Sequence, residues 1–254
     1  MIKAADISKK DIVLEAGPGK GILTKALLEK AGRVMTVEKD KKLAKFLKEK
    51  FKSYKNLEII EGDILKIKNL KLKIKNYKVV ANIPYYITSR FLKTFLQDVK
   101  HQPEKMVLMV QKEVGERILG RGKMNLLALS VQIYGQPKII AKVSRKHFSP
   151  QPKVDSVVVL IDNISKNFFA NKYNRKYLPE RDFFQIAKTG YAHKRKLLLN
   201  NLKQTLSLNA ECLDKCFKTC LIPEKSRAEN LSLENWRCLA ENIVFVDKKQ
   251  NSRK

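Results

Sequence analysis

The 254-residue sequence has no apolar run that approaches the ~20 residues needed for a membrane-spanning helix, so we predict no membrane span. Its first residues, MIKAADISKKD, lack the apolar core and small-residue cleavage site of a secretory signal, and we therefore expect a cytoplasmic protein. Only four cysteines occur, and their spacing fits neither a zinc ribbon nor a disulfide framework. We accordingly predict no metal site and interpret the cysteines as small core residues.

Acidic residues are scarce relative to basic ones. The chain has 25 Asp and Glu against 53 Lys and Arg, a formal net charge of +28. An excess of this size attracts phosphate backbones in a salt-dependent way. The alternative is that the excess reflects a general bias towards lysine, because many lysines, such as Lys41, Lys45 and Lys48, occupy ordinary helix-surface positions. The charge nevertheless favours a nucleic acid partner over a membrane surface.

Short β-branched runs alternate with amphipathic stretches over the first two-thirds of the chain, a pattern typical of a parallel sheet wrapped by helices. The predicted strands are 12–15, 34–38, 57–61, 78–82 and 105–111, and the predicted helices are 22–31, 41–51, 88–97, 112–119 and 126–134. Two later strands, 138–143 and 154–161, are joined by a proline-rich connection that is too short for a parallel crossover. We predict that these two strands pair antiparallel.

The composition changes after Asp162, where a polar, aromatic and basic stretch precedes a helix-like remainder. The first comparable strand signal after this point is the β-branched run 243–246. We therefore predict an α/β domain over 1–162, a linker over 163–179 and a small all-helical domain over 180–254.

A glycine-rich turn, Glu15-Ala16-Gly17-Pro18-Gly19-Lys20-Gly21, separates the first predicted strand from the first predicted helix. Glycines there allow a tight turn and a close approach to a ligand, which is compatible with NAD, with S-adenosylmethionine or merely with tight packing. Glu38 ends the second strand, where a carboxylate can accept hydrogen bonds from both ribose hydroxyls, and Asp63 follows the third strand. These residues predict a nucleoside-cofactor site, whereas Asp40 is interpreted as the N-cap of the next helix.

The motif Asn82-Ile83-Pro84-Tyr85 closes the fourth predicted strand at the same edge of the sheet. An adenine amino group is a poor nucleophile because its lone pair is delocalised into the ring. The Asn82 amide oxygen and a main-chain carbonyl at Ile83 or Pro84 would accept both amino hydrogens and favour a pyramidal nitrogen. Tyr85 offers a flat face to an extruded base, and Phe148 in the proline-rich connection would cover the other face. The alternative is an ordinary strand-ending turn with tyrosines in the core.

These motifs, together with Met109-Val110-Gln111-Lys112-Glu113-Val114, Phe148-Ser149-Pro150-Gln151-Pro152-Lys153-Val154-Asp155-Ser156 and Arg227-Ala228-Glu229-Asn230-Leu231, resemble those of the rRNA adenine N6-dimethyltransferase family. The resemblance covers about residues 5 to 243 and implies a Rossmann-like methyltransferase domain with a helical C-terminal domain, and S-adenosylmethionine as donor. It implies cofactor contacts at Glu15, Gly17, Gly19, Glu38, Asp63 and Asn82, catalytic contacts at Asn82, Pro84, Tyr85 and Phe148, and RNA contacts in a basic helix at Lys194, Arg195 and Lys196.

The Pro-x-Pro-Lys-Val-Asp-Ser loop and the Arg-Ala-Glu element resemble the small-subunit branch of this family more than its macrolide-resistance branch. This implies dimethylation of adenines near the 3′ end of 16S rRNA, on an immature small ribosomal subunit. We expect a monomer, because the sequence has no recognisable association motif. The alternatives are a large-subunit rRNA methylase, a DNA adenine methylase and a non-catalytic ribosome-assembly factor that binds RNA. Family members usually carry a Gln-Asn-Phe-Leu-type segment that this sequence lacks, and we hypothesise a start codon assigned too far downstream.

Overall fold

The computed structural model describes residues 1–66, 74–121, 123–170, 178–205 and 210–251. Contacts divide the chain into two compact units, the first formed by Met1–Leu119 and Tyr134–Ser165, the second by Gly120–Ile133 and Lys166–Lys254. Residues 120–133 thus group with the later helices, whereas the sequence assigned them to the first domain. The boundaries at 162 and 179 stay predictions, and residues 171–177 of the predicted linker lie outside the described residues. No described helix is long and apolar enough to span a membrane.

The first unit is built on a seven-stranded sheet in the order β3-β2-β1-β4-β5-β7-β6. Its strands are β1 (Ile12–Ala16), β2 (Arg33–Glu38), β3 (Leu57–Glu61), β4 (Tyr77–Asn82), β5 (Lys105–Gln111), β6 (Gln136–Val143) and β7 (Ser156–Asp162). The first five pair in parallel, and β7 runs antiparallel to both β5 and β6. The predicted α/β class with an antiparallel last strand is confirmed.

Helices flank this sheet and bury its central strands. They are α1 (Ile2–Ala5), α2 (Ile22–Lys30), α3 (Lys41–Lys50), α4 (Thr88–Lys93) and α5 (Lys112–Ile118). Val13 in β1 and Val79 in β4 are fully buried, as expected for parallel strands covered on both faces. The carboxylate of Asp40 accepts hydrogen bonds from the backbone nitrogens of Lys42 and Leu43, which confirms it as the N-cap of α3.

The strand order reverses between β1 and β4. The chain builds outward from β1 through β2 to β3, and then returns to form β4 on the other side of β1. Ligands of open α/β sheets bind beyond the carboxyl ends of the strands at such a reversal, because the connecting loops diverge there and leave a crevice. The glycine-rich turn after β1 and the motif that begins at Asn82 both lie at this point.

The second unit is helical in its described part. Its helices are α6 (Leu126–Gln132), α7 (Glu180–Gly190), α8 (Leu198–Thr205), α9 (Ala210–Thr219) and α10 (Leu233–Asn251). Trp236 is fully buried and its ring stacks on Tyr191 with centroids 5.4 Å apart. A side chain at Gly190 would not fit, because its Cβ would lie 2.5 Å from Cη2 of Trp236. The indole therefore packs directly against the backbone of α7.

The β-branched run 243–246, which gave a strand signal, belongs to α10. Its β-branched composition resembles that of a buried strand. The buried residues of this helix instead recur at helical spacing, namely Trp236, Leu239, Ala240, Ile243 and Val244. A period of three to four residues identifies the run as the inward face of a helix.

The expectation that the cysteine spacing indicates no disulfide was wrong for two residues, although Cys220 is buried as predicted. Cys220 and Cys238 form a disulfide, with Cα atoms 5.6 Å apart. Cys220 follows α9 and Cys238 lies in α10, so the packing of these helices joins thiols that are 18 positions apart. Cys216 is buried as predicted. Within the described residues, no group of three or more His, Cys, Asp or Glu could hold a metal ion.

Candidate active site at the sheet edge

The glycine-rich turn after β1 is held in a conformation that side chains rarely adopt. Gly17, Gly19 and Gly21 have φ values of +64°, +57° and +78°, in the left-handed region that glycine enters without strain. The Gly17 nitrogen donates to the carbonyl of Val37 in β2 at 3.0 Å, which ties the turn to the neighbouring strand. Apart from the adjoining residues, no heavy atom of the described chain lies within 4 Å of a Cβ built on Gly17 or Gly19. The turn therefore leaves its backbone open to a ligand.

Glu38 at the end of β2 links this turn to the next helix. Its carboxylate accepts a hydrogen bond from the Gly19 nitrogen at 3.2 Å through one oxygen and from the Asp40 nitrogen at 2.9 Å through the other. Only 7% of the residue is exposed. A carboxylate offers about four lone-pair sites, so capacity for two more donors remains. Glu38 can fix the turn and accept two ribose hydroxyls at the same time.

Asp63 extends the acidic edge to β3. Its carboxylate accepts a hydrogen bond from the Leu65 nitrogen at 3.0 Å and lies 3.5 Å from Nζ of Lys39. The backbone nitrogen of Gly62 donates to the carbonyl of Glu38 at 2.8 Å, which joins the ends of β2 and β3. The predicted acids thus lie on adjacent strand ends beside the glycine turn.

Glu15 lies in β1, just before the turn, and is almost completely buried, with 1% of the residue exposed. One carboxylate oxygen accepts a hydrogen bond from Oγ1 of Thr24 in α2 at 2.7 Å. The other oxygen has no hydrogen-bond partner in the described part of the chain. Burial raises the pKa of Glu15 to about 7, against the lowering effect of the Thr24 hydrogen bond and with a further rise from the Glu38 charge. Its hydrogen bond to Thr24 joins the end of β1 to the first turn of α2, the two elements that flank the glycine-rich turn.

An open cleft lies at the end of β4. Its volume is about 270 Å³, and it is lined by Asn82, Ile83, Pro84, Tyr85, Phe148, Pro150 and Pro152. Asn82 is exposed, and its amide makes no hydrogen bond within the described residues, so its oxygen is available to a ligand. The volume is slightly below the roughly 300 Å³ at which drug-sized ligand pockets begin. The cleft therefore suits one flat ring with polar groups at its edge.

Tyr85 is held in the wall of this cleft by a contact that the sequence did not predict. Its hydroxyl forms a hydrogen bond of 2.9 Å with Oγ of Ser156, a fully buried residue at the start of β7. Ser156 pairs with Gln111 at the end of β5, so the sheet register determines where its hydroxyl lies. The ring of Tyr85 is thereby anchored at its far end.

Phe148 is carried by the loop between β6 and β7. The carboxylate of Asp155 accepts a hydrogen bond from the Arg145 nitrogen at 2.9 Å, and Arg145 Nη1 donates to the carbonyl of Lys153 at 3.1 Å. These bonds close the base of the loop. Phe148 is half-buried. Together with two prolines of the same loop, it forms the wall that this loop contributes to the cleft.

The structure brings the sequence-predicted residues of the first unit together in two groups at one sheet edge. The glycine turn lies with the acids, and Asn82, Pro84 and Tyr85 lie with Phe148. The predicted basic helix was wrong, because Lys194, Arg195 and Lys196 lie in the exposed turns between α7 and α8 of the second unit. Thr24 and Ser156 are contributors that the sequence reasoning missed. Ser156 was quoted within a motif, but nothing local indicated its partner.

Comparisons with known proteins agree with this geometry. A family model described as ribosomal RNA adenine dimethylase matches residues 1–244. A protein named ribosomal RNA small subunit methyltransferase A from Dehalococcoides mccartyi strain 195 is 42% identical over 97% of this chain and 83% of its own length. Another of the same name from Clostridium botulinum strain Kyoto is 38% identical, over 97% and 88% respectively.

Among solved structures, a dimethyladenosine transferase from Plasmodium falciparum superposes with a TM-score of 0.78 at 27% identity, covering 98% of this chain and 94% of that one. Fold, sheet-edge motifs and sequence similarity over nearly the whole chain therefore agree, and the chain belongs to the ribosomal RNA adenine dimethylase family.

Proposed function

We propose that this protein transfers two methyl groups from S-adenosylmethionine to the N6 amino group of adenines near the 3′ end of small-subunit rRNA. The observation that carries the proposal is the amide of Asn82, which has no hydrogen-bond partner among the described residues and lines a cleft for one flat ring beside the glycine turn. The names of the two relatives support the small subunit as the substrate. The alternatives are a large-subunit rRNA methylase, a DNA methylase and a non-catalytic assembly factor.

The residues around the turn fit the proposed methyl donor. The open backbone at Gly17 and Gly19 can receive a ligand, and Glu38 has free lone pairs for a ribose diol. Asp63 adds an acceptor at the next strand end. When bound, S-adenosylmethionine supplies an electrophilic methyl group on a sulfonium centre. The chain's own task is to hold the adenine nitrogen in line with that group.

Two acceptors of the cleft can orient the amino group. The Asn82 amide oxygen accepts one N–H, and a main-chain carbonyl accepts the other. The Pro84 carbonyl already accepts a hydrogen bond from the Ile87 nitrogen at 3.1 Å, so the Ile83 carbonyl is the better candidate. Holding both hydrogens localises the lone pair on nitrogen and presents it in a near-attack geometry. No acidic or histidine side chain of the described residues lines the cleft, which fits a reaction whose cationic product loses its proton to water.

The base is proposed to lie between Tyr85 and Phe148, which contribute aromatic faces to the cleft. We further propose that the exposed Lys194, Arg195 and Lys196 contact the RNA backbone, supported by the net charge of +28. We also propose that the protein acts as a monomer in the cytoplasm.

Methyl transfer from a labelled donor to three substrates tests the function: small ribosomal subunits that lack adenine dimethylation, large-subunit rRNA, and duplex DNA. We expect label only in the small subunits, recovered as dimethyladenine by mass spectrometry. Label in large-subunit rRNA or DNA alone would assign the enzyme to another substrate, and no label in any of them would favour the assembly factor.

A second prediction concerns Ser156. Removing its hydroxyl by Ser156→Ala is expected to lower kcat/KM for the RNA about five- to tenfold, because a buried neutral hydrogen bond contributes about 1 kcal/mol and here orients the Tyr85 ring. Tyr85→Phe removes the same bond from the other side. The double variant should therefore lose no more than either single variant, and additive losses would contradict the coupling. The affinity for S-adenosylmethionine should stay unchanged in all three.

A further inference from the structure

An exposed face runs down the helix that follows the Asn82 motif. The backbone is helical without a break from the 3-10 turn Tyr85–Ile87 through α4. Phe91 and Leu92 point into the core and are buried. The opposite side carries four exposed residues, which we call the α4 face: Tyr86, Ser89, Arg90 and Lys93. Their spacing of three and four positions aligns them along one side of the helix.

Tyr86 is the most unusual member of this face. It is 86% exposed, although a tyrosine ring gains free energy when it is buried. It directly follows Tyr85, which lines the cleft, and its hydroxyl makes no hydrogen bond with any described residue. An exposed ring beside a site for an extruded base is suited to stack on a neighbouring base, since every base has a flat π-face.

The two cations of the face are also without partners in the described part of the chain. Neither Arg90 nor Lys93 forms an ion pair or a side-chain hydrogen bond there, and both are exposed. No acidic residue occurs between Tyr86 and Asp98 in the sequence. Tyr86 and Lys93 are separated by about 10 Å along the helix axis. The face therefore presents one aromatic ring followed by two unneutralised positive charges, which complements a nucleic acid strand.

We propose that the α4 face binds the single-stranded RNA that flanks the target adenine, with Tyr86 stacked on an adjacent base and Arg90 and Lys93 at its phosphates. The proposal rests on the proposed function, because the cleft next to Tyr85 defines where the flanking strand begins. Single-stranded RNA fits better than a duplex, since stacking on a side chain requires a base that has left its own stack. The α4 face would thus continue the base cleft into a binding surface for the strand.

Tyr86→Ala tests the stacking. With the full-length protein and small ribosomal subunits that lack adenine dimethylation, we expect this variant to bind about tenfold more weakly, in the range measured for loss of one base–aromatic stack. Tyr86→Phe keeps the ring and should bind like the wild type. Phe46→Ala is the matched control, because Phe46 is an exposed aromatic residue on α3, 46% exposed. Its affinity for the subunit should not change.

Arg90→Gln and Lys93→Gln test the phosphate contacts. Each should reduce the slope of log Kd against log salt concentration by about 0.7, the value for one phosphate of a single strand. Tyr86→Ala should weaken binding without changing this slope. Lys30→Gln is the control for charge, because Lys30 is exposed at the end of α2, at the opposite edge of the sheet from the cleft. It should leave the slope of the wild type intact.

The proposal would be overturned if Tyr86→Ala bound the subunit with wild-type affinity and the double variant Arg90→Gln, Lys93→Gln kept the wild-type salt slope. Equal weakening by Phe46→Ala or an equal slope change by Lys30→Gln would also overturn it, because binding would then depend on surface composition alone. Failure of the proposed function looks different, since the wild-type protein would then leave the small subunit unmethylated. All substituted positions are exposed, so thermal unfolding should be unaffected.

Discussion

Replacing Asn82 with alanine is expected to lower kcat for RNA methylation by about 10²–10³-fold, the loss typical of removing one preorganised polar group from a reacting centre. The amide is exposed in the cleft, and within the described residues it makes no hydrogen bond that would stabilise the fold. We therefore expect its contribution to be made to the bound amino group. Thermal unfolding should be unchanged within the few tenths of a kcal/mol typical of exposed sites, which separates catalysis from folding.

Asn82→Gln is the informative companion to this variant. It keeps the amide but moves it by one methylene, and a misplacement of about 1 Å can cost on the order of 10²-fold in rate. Single-turnover methylation of small ribosomal subunits measures both variants. Equal, severe losses would support an orienting role for the amide oxygen. Activity of Asn82→Ala within tenfold of the wild type would show that the amide does not orient the adenine.

The sheet was predictable because its central strands are buried on both faces and read as short apolar runs separated by turns. Each of β1 to β5 was predicted to within one residue at either end. The same rule misleads at residues 243–246, where Ile243 and Val244 are equally apolar but lie on the buried face of α10. A run of four apolar residues fits either period, and only the wider pattern from Trp236 onward indicates the helix.

The site residues that lie at strand ends were predictable, because parallel strands bring their carboxyl ends to one edge of the sheet. Glu38 and Asn82 were identified in this way. Contacts that depend on the sheet register were not predictable. The bond between Tyr85 and Ser156 joins positions 71 apart, and it exists because β7 pairs antiparallel with β5 and puts Ser156 opposite Gln111. A local sequence pattern carries no information about such a pairing.

The predictions about the disulfide and about the basic residues after α7 failed for a related reason. Cys220 and Cys238 meet because of how α9 and α10 pack, which their spacing of 18 does not encode. Lys194 and Arg195 follow α7, and helical periodicity cannot be recognised in a short stretch of consecutive charged residues. In both places, tertiary packing determines the outcome and leaves no mark on the local sequence.

Glu15 should make the stability of the first unit depend on pH. Burial raises its pKa from 4.5 to about 7 in the folded protein, so protonation favours the folded state. The stability contributed by this effect is fully present below the unfolded pKa and is lost as the pH rises through about 7. Glu15→Gln removes the titration while keeping a polar group beside Thr24. The variant should therefore gain up to about 3 kcal/mol relative to the wild type between pH 4 and pH 8, the free-energy equivalent of the pKa shift.

The measurement must report on the first unit, because the single tryptophan, Trp236, lies in the second and its fluorescence would miss the effect. Amide hydrogen exchange in β1, with intrinsic exchange rates corrected for pH, gives the opening free energy directly. Glu29→Gln, on the exposed side of α2, is the matched control and should follow the wild-type profile. A parallel pH profile in the wild type and Glu15→Gln would contradict the prediction. A gap that widens as the pH rises would instead show that the Glu15 carboxyl group stays protonated in the folded state up to about pH 7.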